Sequence, residues 1–274
     1  MGNPNVTFRQ TTLNPLTMKT FRLSIIALLM MGAFSCKKDS SPASASVTSD
    51  QAADMAASAF ASNSGGVASM TDAVTINAQG LASTGSQSIN SLGVNEHHQE
   101  CGSTLTDSAT YSGSNNAVSY DYFVKYSHTL NCNVNNLPDN LANAIIYHGT
   151  FDGPRVSTTA KGTATATIAG LTQAAQNYVI NGEYKREGTF VSKVGNKATG
   201  NSNIDIVVTN LKLAKPSRAI VSGTATFTVT GVAGKHTYSF TGTATFNGDG
   251  TATLVITGGA TYTITLATGV YTKQ

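Results

Sequence analysis

The chain has 274 residues and is rich in threonine, serine, alanine and glycine; 40% of it is hydrophobic and only 11% charged, with no tryptophan. That composition excludes an acidic disordered chain and suits an exported β-protein. The formal charge of +3 comes from Arg9, Lys19 and Arg22, which precede Cys36 with no acid beside them. From Cys36 onward 14 basic residues face 14 acidic ones, which removes nucleic acid and anionic surfaces as electrostatic partners.

Residues 1–17 are expected to be a mis-annotated leader, because a signal begins afresh at Met18. Lys19 and Arg22 give it a cationic start, and Leu23 to Phe34 form an apolar run. Such a run rises about 18 Å as a helix against roughly 30 Å of hydrocarbon, too short to span and suited to the core of a secretory signal. It ends in GAFSCKKDSS, where small Ser35 precedes Cys36 and polar sequence follows at once.

Those residues resemble the processing site of bacterial lipoproteins, those of the Bacteroidota in particular. Ala33 replaces the usual leucine, and bulky Phe34 stands where a small residue is common. The resemblance implies signal residues 18–35, cleavage between Ser35 and Cys36, and diacylglycerol and palmitate chains on Cys36. It implies a chain held at the bacterial envelope, at the outer membrane, with Asp39 as a mark of surface export. Two or more acyl chains anchor a soluble domain durably. The other reading is a secretory signal cut nearby, with Cys36 as a spare thiol.

Residues 36–48 read as the lipidated cysteine and a Ser/Ala-rich flexible tether. A helical, low-complexity segment follows over 49–95. Ser49 is placed to cap, Asp50 suits the first turn, and Ala52, Met55, Ala56, Ala59 and Phe60 recur at helical spacing. Asn63-Ser64-Gly65-Gly66 stops that helix, and a weaker one runs from about Val67 to Leu81. Their stripes are mostly alanine, so both are expected to lie against the following domain or to fray.

Over 96–274 the period becomes two, which predicts an antiparallel β domain. Ala225, Phe227 and Val229 alternate with threonines, as do Tyr238, Phe240, Ala244 and Phe246. Further strands are expected near 117–131, 143–151, 159–169, 175–186, 188–194, 202–213 and 218–230. Asn247-Gly248-Asp249-Gly250 and Gly258-Gly259 supply tight hairpins. Ten or eleven strands joined this way make a mainly β fold, a meander closed as a barrel, half-barrel or sandwich. Asn210 switches the apolar parity and predicts a bulge or turn. The GTAT strings at 162–165, 223–226 and 242–245 are unevenly spaced, which argues against a solenoid. A hairpin turning at SGSNN (112–116) brings Cys101 close to Cys132, and an exported chain is expected to oxidise that pair.

The search for chemistry yields no catalytic residue, metal ligand or cofactor. EHHQEC (96–101) reads as a surface loop, because adjacent histidines on a strand point apart. GVAGKHT (231–237) lacks the first glycine of a phosphate loop and reads as a hairpin. Asp121, Glu183 and Asp205 lie opposite the apolar face, and Asp152 sits in a Gly-Pro turn. The uneven feature is aromatic: Tyr120, Tyr122 and Tyr126, then Tyr147, then Tyr178 and Tyr184 share inward parity. They are expected to be core or to line a cavity. The chain is therefore read as a non-enzymatic envelope domain that binds or scaffolds an envelope protein. The alternative is a carrier of a lipid or other small apolar ligand. An adhesive or ice-contacting threonine face and an envelope hydrolase are more distant readings.

Overall fold

A computed structural model describes residues 46–83, 88–90, 96–115 and 117–274. The segments expected to be leader, signal and tether, up to residue 45 and with Ser35 and Cys36 among them, lie outside the described residues. Helix α1 (Ser49–Phe60) is capped by Thr48 rather than Ser49. The sequence T-x-x-Q forms a reciprocal box there: Gln51 N donates to Thr48 Oγ1 at 3.3 Å and Thr48 N to Gln51 Oε1 at 3.0 Å. A short 3-10 turn (Ser62–Ser64) follows, and Gly65 adopts φ of +63° before helix α2 (Val67–Ser83). Among the described residues, no helix is long and apolar enough to cross a membrane.

Two short strands, β1 (Ser88–Asn90) and β2 (Glu96–His98), pair with each other. EHHQEC is thus partly strand and not the surface loop its composition suggests. Gln99 beyond it is buried, donating through Nε2 to the carbonyls of His128 (2.9 Å) and Ser103 (3.0 Å).

The remaining strands are β3 (Thr104–Ser114), β4 (Ser119–Cys132), β5 (Pro138–Asp152), β6 (Val156–Ala169), β7 (Asn177–Ser192) and β8 (Thr199–Ala214). They continue as β9 (Ile220–Ala233), β10 (His236–Phe246), β11 (Thr251–Ile256), β12 (Thr261–Thr265) and β13 (Tyr271–Lys273). Each pairs antiparallel with its chain neighbours in one 11-stranded sheet with β3 and β13 at its edges. The sheet is an open meander, neither a closed barrel nor a sandwich of two sheets. The two strands expected at 175–186 and 188–194 are one, because Gly188 keeps its pairing with Ala160 and Ser202. Asn210 is at φ +51° where the β8–β9 register shifts, the bulge that the parity switch predicts. GVAGKHT is the β9–β10 hairpin, with Ala233 opposite His236 across Gly234-Lys235. Two of the GTAT strings meet there, Ala225 facing Ala244.

The helices occupy the apolar side of the sheet. Every residue from Gln51 to Phe60 is buried, so α1 is enclosed on all sides and not only along its stripe. Phe60 meets Phe227 and Phe246 edge-on, each at 6.0 Å. Gln51 Nε2 donates to Ser192 Oγ at 3.0 Å, and the Tyr262 hydroxyl donates to Asp50 Oδ1 at 2.6 Å. One short helix touches β7, β9, β10 and β12 only because the sheet curls around it. Alanines at 52, 53, 56, 57 and 59 let the strands approach closely.

Candidate functional site

The expected disulfide is present: Cys101 and Cys132 are bonded with a Cα–Cα distance of 5.6 Å across 31 residues. It joins the segment before β3 to the end of β4, where the β4–β5 register shifts at Asn131/Cys132.

Tyr122, Tyr126, Tyr147, Tyr178 and Tyr184 all lie buried on the concave face, and Tyr120 is half-buried at its margin. Tyr147 and Tyr184 stack at 5.4 Å; their hydroxyls donate to the carbonyls of Lys185 and Gly65, each at 3.1 Å. Tyr126 shares a 2.8 Å hydrogen bond with Tyr111, and Lys215 Nζ sits 4.3 Å from the centre of the Tyr178 ring. Burial raises the Tyr147 and Tyr184 hydroxyls, and pushes Tyr122 up to about 12, so all three are neutral. The Tyr122 hydroxyl is buried without a hydrogen-bond partner among the described residues.

Among these rings lies Arg186, 4% exposed, donating to Ser58 Oγ at 3.3 Å and to Thr158 Oγ1. Its inward parity with Tyr184 and Phe190 was a signal in the sequence; its buried charge makes it the residue most easily passed over. The tyrosines are thus capped by α1, the 3-10 turn and α2. The space beside Tyr184, lined by Met70, Val74 and Ile180, is about 30 Å³, the volume of a single water. The helices fill the room that a lipid or other apolar ligand would need there.

Ligand-sized concavity lies on the opposite, solvent face. Cross-strand register sets two rows of side chains there. In the first, Phe123, His148, Lys161, Glu187 and Asn203 stand side by side from β4 to β8. In the second stand Thr150, Thr159, Thr189 and Asn201. Between the rows run Gly149, Ala160 and Gly188, whose inward parity leaves main chain as the floor. The resulting groove runs from His148 to Asn203, is shallow and largely open to solvent, and has a volume of about 650 Å³; Phe123 stands just beyond its His148 end. A second hollow of about 210 Å³ continues from it toward Asp152 and Ser157.

Glycine makes this floor possible. A Cβ on Gly188 would lie 2.1 Å from the Thr159 carbonyl oxygen, and one on Gly149 would lie 2.2 Å from that of Asp121. Neighbouring strands therefore approach more closely there than any side chain allows.

The polar groups of the groove are mixed and electrically balanced. Lys161 Nζ lies 3.1 Å from Glu187 Oε1, and the pair contributes no net charge. Phe123, 38% exposed, stacks on His148 at 5.3 Å and 26°. The carboxamides of Asn201 and Asn203 and the hydroxyls of Thr150, Thr159 and Thr189 bond to no other described side chain or backbone group. Of the carboxylates singled out in the sequence, Glu183 pairs with Lys185 at 2.9 Å, and Asp121 and Asp205 are solvent-exposed on this face. Asp152 pairs with Lys193 at 2.7 Å and accepts from Ser157. Among the described residues, no three His, Cys, Asp or Glu side chains gather as metal ligands. Comparison with protein-family models, with curated proteins and with solved structures finds no match.

Proposed function

We propose that this chain is a non-enzymatic binding lipoprotein of the bacterial envelope. Cys36 tethers it to the outer membrane, and the outer face of its sheet carries the ligand. The observation that carries this reading is the division of labour between the two faces. The side that bears the helices is consumed by α1, α2 and the tyrosines, while the groove between the His148–Asn203 and Thr150–Asn201 rows keeps its threonine hydroxyls and asparagine carboxamides unspent. Binding sites combine a recess with a few placed polar groups, and this shallow groove on the outer face offers both. The processing motif before Cys36 supports the tether, since two or more acyl chains hold a domain of this size at a bilayer.

The tether is tested by growing a Bacteroidota host with an alkynyl fatty acid and separating membranes from soluble protein. Wild type is expected to take the label and sediment with membranes. Cys36→Ser is expected to stay unlabelled and soluble. An unlabelled, soluble wild-type protein overturns the anchored reading.

A further inference from the structure

The chemistry of the outer groove narrows the ligand further, given the reading of this domain as a binding module. Its walls balance one cation against one anion, Lys161 and Glu187, so neither a phosphate-rich nor a cationic ligand finds an excess of opposite charge. Of the two rows only Phe123 is apolar, and that excludes the lining of a lipid site. The groove crosses the strands on the face of the sheet, where β5 to β8 already spend their main-chain donors and acceptors on each other. An extended peptide laid there gains no ladder, because peptides add to sheets at edges.

What remains is a surface of groups that both donate and accept. The hydroxyls of Thr150, Thr159 and Thr189 and the carboxamides of Asn201 and Asn203 each offer both roles. Vicinal hydroxyls of a sugar need such partners. Just beyond the His148 end of the groove, the Phe123 ring stacks on His148 and, 38% exposed, leaves aromatic surface for aliphatic C–H groups.

We propose that this groove binds a neutral oligosaccharide laid across the strands from Phe123 to Asn203. Five strands at about 4.8 Å spacing give a path of roughly 19 Å, enough for about three or four sugar rings. The ring at the Phe123 end packs its C–H face on the aromatic side chain. The following rings hydrogen-bond to the threonines and the Lys161–Glu187 pair, and the far end meets Asn203 and Asn201.

Calorimetric titration of the full-length protein, in a detergent without a sugar headgroup, uses cellohexaose, chitohexaose and maltohexaose as probes. A hexagalacturonate serves as the charged comparison and a proline-free hexapeptide as the non-sugar one. At least one neutral hexasaccharide is expected to bind with Kd on the order of 10 µM to 1 mM. Phe123→Ala and Asn203→Ala are each expected to weaken it at least ten-fold while keeping the wild-type melting temperature. Thr253→Ala, on the same face but in β11, is expected to leave it unchanged. Absence of binding by all three sugars overturns the proposal, as does binding that both groove variants leave intact. Binding of the peptide alone, lost on Phe123→Ala, overturns the sugar assignment and keeps the binding module. The fatty-acid labelling above reports on the tether independently of either result.

Discussion

Asp54 of α1 accepts a 2.6 Å hydrogen bond from Arg155 Nε, joining the enclosed helix to the turn between β5 and β6. The Asp54 side chain is 3% exposed and that of Arg155 is 38% exposed. Arg155 also donates to the Tyr271 hydroxyl at 2.7 Å, so the same guanidinium ties down edge strand β13. Burial raises the Asp54 carboxyl above its ordinary range although Arg155 pulls it down.

The pair is therefore expected to respond asymmetrically. Arg155→Ala strands a buried carboxylate and should cost about 2 kcal/mol at neutral pH, below the value for a fully buried pair because Arg155 is partly in water. Asp54→Asn should cost less. A raised carboxyl binds more protons in the native state than in the unfolded one, so its penalty fades as pH falls toward its folded pKa. The Arg155→Ala deficit in urea unfolding should shrink between pH 7 and pH 5; a deficit that grows on acidification contradicts this account.

His128 sits where α2, β4 and β5 meet. Its Nδ1 lies 2.7 Å from Asn143 Oδ1 and its Nε2 lies 2.6 Å from Asn77 Nδ2, a network that assigns the proton to Nδ1. Burial lowers its pKa below 6.5, against the hydrogen bond that Nδ1 donates to Asn143 and the charge of Asp107. The unfolded chain then binds the proton first, so stability should fall as pH drops below about 6.5 toward the folded value. Denaturant midpoints at pH 7.5 and 5.5 check this; His128→Gln should flatten the difference, and an unchanged slope in that variant removes His128 as its source.

The Cys101–Cys132 bridge closes a loop with a sequence separation of 31 residues. Its removal in the double serine variant should cost about 3 kcal/mol. Alkylation read by mass should modify these cysteines only after reduction, and labelling of the untreated native protein at both would refute the bridge.

Gly188 and Gly149 form the floor of the groove where adjacent strands come closest. Alanine at either should lower stability by about 1–3 kcal/mol, since its methyl meets a neighbouring carbonyl and, at Gly149, the buried Tyr122 ring as well. Chemical denaturation of each variant tests this. Wild-type midpoints would mean that the strands relax apart, and the floor of the groove would then not depend on glycine.

Much of the fold is legible from alternation alone. Thr224, Thr226 and Thr228 against Ala225, Phe227 and Val229 already state which side is wet, because successive side chains on a strand point to opposite faces. The same parity places Tyr122, Tyr147 and Tyr184 inward, and Asn210 betrays its bulge by breaking it. The groove was not legible. Phe123 and Asn203 become members of one row through four successive strand registers, each fixed by bulges and turns that pattern does not state.

By itself the sequence determined the antiparallel meander and its inward and outward faces, because these follow from local periodicity and short connections, and it placed Cys101 near Cys132. Only the tertiary structure decided that an alanine-rich helix becomes the enclosed centre of the sheet and that the tyrosines serve as its bed. It also decided that the sheet stays open and hollows on its outer side. Those outcomes depend on how each strand sits against its neighbours over the whole sheet, and glycines such as Gly149 and Gly188 let adjacent strands approach more closely than a side chain would allow.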